Sequence, residues 1–257
     1  MGVENRYRST ILIPISFLFS FTIASAQENK GFYEFGLNLG KMVYQGDLTP
    51  SMFGSFRTSR TSVGLTVARV LGNYISIRGS FLHGGLAGDD ALYSDPEYRK
   101  ERAFRFSSPV NELTGQVVWS YPGVTRYERG FSPYVFVGAG VSKMNIQPDA
   151  TAFNAEFFGA EAAQIEAGLA ADTDHGTPVI LPVGTAGIGF KYFFTGQWGA
   201  NAEASYRITY SDYLDGFSQS VNPKLNDHYM NYSVGVLYRN GRKGMAASSV
   251  NCPKVRF

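Results

Sequence analysis

The sequence has one cysteine, Cys252, near its C-terminus. A single thiol excludes a disulfide within the chain and any metal centre built from several cysteines. Histidine is almost as scarce. His83, His175 and His228 are far apart, and no His/Cys pair has ligand spacing. No G-x-S-x-G, P-loop or dinucleotide fingerprint occurs. No metal, cofactor or catalytic role is therefore expected. Charged residues make up only 17%, the formal net charge is +2, and no nucleic acid is expected as a partner. After residue 26, no apolar stretch approaches the roughly 18 residues of a transmembrane helix, so a helical span is excluded there.

The N-terminus reads MGVENRYRSTILIPISFLFSFTIASAQ. Arg6 and Arg8 form a short basic region, residues 11–23 are largely apolar, and Ala24-Ser25-Ala26 is an A-x-A site. This predicts a secretory signal peptide over 1–26, cleaved before Gln27. Gln27 rather than a cysteine stands directly after the site, so no residue there can carry a lipid.

What is plentiful is glycine and aromatic residues: 29 Gly, 20 Phe and 16 Tyr. That mixture suits short alternating strands better than helices. A period of two recurs along the chain. In WGANAEASYRITY, Ala200, Ala202, Ala204, Tyr206, Ile208 and Tyr210 share one face, and Asn201, Glu203, Ser205 and Arg207 share the other. Successive side chains on a strand point to opposite faces, so this segment has an apolar and a polar side. HYMNYSVGVLY, NELTGQVVW and FYEFGLNLG repeat the pattern, with Val118 on the polar side as an exception. Eight strands are predicted, near 32–43, 61–71, 74–84, 104–120, 132–143, 181–194, 198–210 and 228–238. Most have the roughly 9–11 residues that a tilted strand needs to cross a bilayer.

The connections alternate. Gly72-Asn73, the stretch around Pro122 to Gly130, and Thr195-Gly196-Gln197 are short turns, and the other four connections are long. Outer-membrane barrels sort their loops in this way, and a soluble sandwich has no reason to. The expected fold is all-β: an eight-stranded antiparallel transmembrane β-barrel over 27–238, followed by a basic tail over 239–257. The polar faces carry Glu34, Arg78, Glu112, Lys191, Glu203 and Arg207. A barrel of eight strands has room inside only for side chains, so these acids and bases would pair within it, leaving no water-filled pore. A soluble lipocalin-type barrel would instead turn the polar faces outward around an apolar cavity. Tyr33, Tyr74, Tyr134, Tyr192, Trp198, Tyr206 and Tyr210 lie toward strand ends and are candidates for interfacial girdles.

An even strand count with short turns inside puts both termini in the periplasm. The long loops then face outward, against outer-membrane lipid and lipopolysaccharide. They hold 15 of the 21 acidic residues. In the longest, 144–178, Phe153, Phe157, Phe158, Ile165 and Leu169 recur at helical spacing, predicting a surface helix on the barrel rim. Asp89-Asp90 and Asp227-His228 resemble the paired residues of omptin proteases, but strand neighbours point to opposite faces and neither couple converges on a substrate. The tail RNGRKGMAASSVNCPKVRF carries Arg239, Arg242, Lys243, Lys254 and Arg256 and no acid. In the oxidising periplasm, Cys252 is a candidate for a disulfide to a partner.

The segments FYEFGLNLGKMVYQGDL, GGLAGDD, FSPYVFVGAGVSK, LPVGTAGIGFKYFF and ASYRITYSDYLDGFS resemble a Bacteroidota outer-membrane barrel family that includes PorG of the type IX secretion system. Tyr213-Leu214-Asp215 is the most recognisable signature. The resemblance spans residues 31 to 240. It implies a non-enzymatic barrel linking the periplasmic ring of that machine, built from proteins of PorK and PorN type, to the outer membrane. The alternative is a free-standing OmpA/OmpX-like barrel for envelope integrity or adhesion.

Overall fold

The computed structural model describes residues 32–51, 54–71, 74–121, 130–221 and 227–240. The expected leader over 1–26, the Gly72-Asn73 turn, most of the turn before Gly130, and tail residues Arg242, Lys243, Cys252, Lys254 and Arg256 lie outside the described residues.

Eight long strands form the barrel: β1 Tyr33–Gln45, β2 Arg60–Val70, β3 Ile75–Asp89, β4 Arg105–Ser120, β5 Gly130–Met144, β7 Ile180–Phe193, β8 Trp198–Thr209 and β9 His228–Asn240. All neighbouring pairs are antiparallel. β1 pairs with β9 and β3 with β4, so the sheet closes on itself and leaves no barrel edge. The chain is an eight-stranded antiparallel transmembrane β-barrel. A ninth, short strand, β6 Gln147–Asp149, was not expected; it extends β4 past the barrel wall, opposite Arg105–Ser107.

Directly opposed residues trace one circuit from Tyr33 through Arg69, Ile77, Val117, Val137, Ala186, Tyr206 and Met230, and return to β1 at Val43, ten positions from the start. Such a stagger requires the strands to tilt by about 40°. The end holding the Thr195 turn is called the turn end here, and the other the loop end. At the turn end the Thr195 hydroxyl accepts the backbone N–H of Trp198 at 2.7 Å, which fixes the tight reversal.

Strand parity decides what faces lipid. Leu37, Leu65, Ile77, Leu113, Val137, Ile188 and Val234 all point outward, each more than half exposed. In water such a belt would be costly, and in a bilayer it is matched. Tyr33, Tyr74, Trp119, Tyr121, Phe131, Tyr192 and Trp198 are exposed at the turn end and form one aromatic girdle there. Tyr134 does not belong to it. Its parity on β5 is that of Ser132 and Phe136, and it is buried inside, packed with Val118 and Phe136.

That inward aromatic pair has a local cause. Tyr134 opposes Gly189 and Phe136 opposes Gly187 on β7. A Cβ on Gly189 would come within 2.6 Å of the Tyr134 ring. Gly189→Val is expected to prevent closure of the wall between β5 and β7 and to abolish the compact, fast-migrating band on unheated gels after refolding in detergent.

The main apolar core sits at the loop end, where Met42, Leu48, Leu86, Phe104, Met144, Leu214 and Phe217 pack together. Helices α1 Tyr98–Arg102, α2 Ala155–Phe158 and α3 Ala162–His175 lie in the loops above it. Phe153, Ile165 and Leu169 rest against this core, whereas Phe157 is exposed.

Candidate functional site: an ion-filled interior under an interlocked cap

The inward positions bring all six expected charges into the barrel, in three tiers. At the turn end, Glu34 takes Lys191 Nζ at 2.9 Å on one oxygen and Arg239 Nε at 2.7 Å on the other. In the middle, Arg78 reaches Glu203 at 2.7 Å and donates to Gln116 at 2.6 Å, while the Tyr134 hydroxyl donates to Glu203 at 2.9 Å. Toward the loop end, Arg207 Nε lies 3.2 Å from Glu112, whose same oxygen accepts the Tyr229 hydroxyl at 2.7 Å. A buried charge needs both a counter-charge and hydrogen bonds, and each tier provides them. The space left between Glu34, Arg78, Tyr134, Lys191 and Asn201 is about 30 Å³, room for about one water.

Arg239 corrects an expectation. It was placed in the basic tail, but β9 continues to Asn240, and the Arg239 side chain is fully buried with its guanidinium 3.4 Å from the centre of the Phe193 ring. The strand and tail therefore meet two residues later than the expected 238/239 boundary. Its parity, shared with Tyr229, Asn231 and Ser233, was the available signal.

Above the tiers, the four long loops are tied to one another. Asp90, with no solvent exposure, holds Arg99 at 2.8 Å and Arg102 at 2.5 Å, both from α1. Arg99 also donates to the Asp47 carbonyl at 3.0 Å, joining the first two loops. Asn154 donates its side chain to Glu101 at 2.6 Å, joining the second and third. Asp172 on α3 accepts the backbone N–H of Gln219 at 2.8 Å, that of Ser220 at 3.1 Å and the Ser220 hydroxyl at 2.6 Å, joining the third and fourth. Burial holds the Asp90 carboxyl above its ordinary range, and the two arginines oppose that rise.

Each residue of the Tyr213-Leu214-Asp215 signature serves this cap. Tyr213 stacks on the His175 ring at 4.0 Å, and Leu214 is fully buried in the apolar core. Asp215, buried within the fourth loop, is 2.7 Å from the Tyr44 hydroxyl, and Asp227 is 2.5 Å from the same hydroxyl. A phenol carries one proton. One contact is therefore a phenol donating to a carboxylate, and the other is a carboxylic acid donating to the phenol oxygen. The remaining oxygens accept Phe217 N–H at 2.8 Å and Leu214 N–H at 3.2 Å. Burial pushes Asp215 up to about 7, with the Asp47 and Asp212 charges adding to the rise. Burial, then Asp215 itself, lifts Asp227 well above the usual carboxylate range. Burial also takes Asp212 to about 6.

The omptin-like couples are used differently here. Asp90 is engaged by the two arginines, and Asp227 by Tyr44. Among the described residues, no three His, Cys, Asp or Glu side chains gather closely enough to hold a metal ion.

The fold and interior together define a closed transmembrane barrel whose lumen is filled by side chains. No family model matches the sequence, and no curated protein matches it. Among solved structures the chain is similar to Ail, the attachment invasion locus protein of Yersinia pestis, at 12% identity over 82% of this chain and 99% of that one, with a TM-score of 0.43. Neisserial surface protein A is similar at 12% identity over 80% and 96%, with a TM-score of 0.41. OprG of Pseudomonas aeruginosa is similar at 12% identity over 80% and 95%, also with a TM-score of 0.41.

Proposed function

We propose that the chain is a non-enzymatic outer-membrane barrel that anchors a periplasmic secretion complex of the type IX kind, as PorG does. The filled lumen carries this reading. The pocket between the two lower tiers has space for about one water, which argues against a conduit through that part of the barrel. The acids of the omptin-like couples are already engaged, Asp90 by Arg99 and Arg102 and Asp227 by Tyr44. What remains useful is a rigid body fixed in the membrane, with its ends available for attachment. In this reading the turn end and both termini lie in the periplasm. The tail with Arg242, Lys243, Lys254 and Arg256 is the docking element for ring proteins of PorK and PorN type, and Cys252 is its covalent tether. The sequence resemblance over residues 31 to 240 supports the same assignment.

The test is an affinity pull-down from crosslinked envelopes, read by mass spectrometry. The full chain is expected to recover ring lipoproteins, and a chain lacking 241–257 to recover at least tenfold less. On non-reducing gels, Cys252→Ser is expected to remove a high-mass band. Undiminished recovery without the tail would refute docking there. The interlocked outer cap favours a second reading, a free-standing OmpA/OmpX-like barrel for envelope integrity or adhesion. In that case the pull-down recovers no ring proteins with either chain.

A further inference from the structure

The lipid-facing wall is not uniform. On β8 the outward positions Ala202 and Ala204 are small, while Ile188 and Phe190 on β7 and Val234 on β9 stand up on either side. They enclose a trough of about 990 Å³ that runs obliquely from the turn-end girdle toward the loop end. At its upper end Phe56, from the first loop, reaches down over the outer wall and packs on Tyr232 with ring centres 5.2 Å apart. Lys41 lies beside them, with Nζ 3.3 Å from the Thr61 hydroxyl.

Two charged residues line the trough, Lys41 and Glu203. The Glu203 carboxylate is turned inward to Arg78, so only its backbone contributes to the floor. The one outward charge of this lining is therefore positive. Lys41 stands eight residues along β1 from Tyr33 of the turn-end girdle. On a tilted strand that is roughly 20 Å of height, close to the upper edge of an apolar band about 25 Å tall. An ammonium at that depth extends to the headgroup level, where it meets anionic lipid. A second copy of the barrel fits less well. Glu34, Glu112 and Glu203 face the lumen, and the one other barrel-strand acid among the described residues, Asp89, sits at the loop end of β3 beside Arg105, so a facing wall would leave Lys41 without a nearby counter-charge.

We propose that this trough binds an outer-leaflet glycolipid, with its phosphate on Lys41 beneath Phe56 and an acyl chain along Ala202 and Ala204. The choice of leaflet rests on the orientation given under Proposed function; the site itself does not depend on the anchoring role.

The test measures lipid retained by the purified full chain after detergent exchange, by native mass spectrometry, with two probes: diphosphorylated lipid A and its dephosphorylated form. The chain is expected to hold the phosphorylated form about fivefold more tightly, the size of one lysine–anionic lipid contact. Lys41→Gln is expected to bind both forms alike, and Ala204→Leu to bind both more weakly. Equal binding of the two forms by the unaltered chain would overturn the proposal. So would variants that bind like it, or an Ala204→Cys/Cys252→Ser chain that forms disulfide dimers in membranes. Orientation is read separately by labelling Glu166→Cys/Cys252→Ser on intact cells with an impermeant thiol reagent. Absence of label would overturn the leaflet assignment, whereas the Lys41 result in detergent tests the site alone.

Discussion

Glu34→Gln is expected to destabilise the folded barrel by about 3–5 kcal/mol, the usual cost of leaving buried charge without its partner. Glu34 is the shared anion for Lys191 at 2.9 Å and Arg239 at 2.7 Å, and all three side chains are almost entirely removed from solvent. A glutamine offers one carbonyl oxygen and no charge, so two cations would remain beside a pocket with space for about one water. The neighbouring Phe193 and Phe32 rings face the Arg239 guanidinium and compensate only weakly. Urea unfolding in lipid vesicles provides the measurement. Lys191→Met should cost less, because Arg239 still matches Glu34. The double variant Glu34→Gln/Lys191→Met should be more stable than Glu34→Gln alone, because one orphan cation has been removed. An unchanged midpoint for Glu34→Gln would mean that water enters the lumen and solvates the cations.

The second large effect is a loosening of the cap as pH rises. Asp215 titrates near 7 in the folded protein, against about 3.9 in an unfolded chain. A carboxyl with a raised folded value holds its proton more tightly when folded. Its stabilising contribution is complete below about pH 4 and is lost as pH climbs toward 7. Asp227 shifts in the same direction, and Asp212, near 6, adds to it. The groups around the pair are Tyr44 from β1, Asp47 from the first loop, and the N–H groups of Leu214 and Phe217. The side-chain charges that weigh most on the pair are acidic, so a second ionisation has no local relief. Hydrogen exchange over residues 211–221, corrected for its intrinsic pH dependence, should be slow at pH 5 and distinctly faster at pH 8. Asp215→Asn should flatten that difference. Equal protection at both pH values would end the argument.

Much of this barrel was legible from parity alone. A period of two fixes which side of each strand is buried. Once a bilayer rather than water is the outer medium, the polar side is the interior. That placed Glu34, Arg78, Glu112, Lys191, Glu203 and Arg207 without any knowledge of partners. The same rule, applied one residue further, takes Arg239 from the tail to the lumen. The run of basic residues after it masked the signal. Tyr134 lies near a strand end, as girdle aromatics do, but its parity on β5 is inward, and parity decides. The cap was harder to read. Tyr44 meets Asp215 and Asp227 across sequence separations of 171 and 183 residues. No local pattern records such a meeting, which follows from barrel closure and from where the loops return. The helical spacing of Phe153, Phe157, Phe158, Ile165 and Leu169 predicts one surface helix; the chain instead forms two, α2 and α3, broken at Gly159 with its positive φ, and the attachment of α3 through Asp172 to Gln219 and Ser220 leaves no local signal.

The Glu34–Arg239 contact spans the seam where the first and last strands meet. Until β9 arrives, β1 presents a carboxylate with only Lys191 of β7 to answer it, and the edge of β1 has no partner. A chain stopped before its final strand would carry that imbalance into the bilayer, where exposed charge and unpaired backbone are both costly. Only the observed pairing of β9 with β1 brings Arg239 to Glu34; a register slip of one residue would turn Arg239 out into lipid, where its charge is costly.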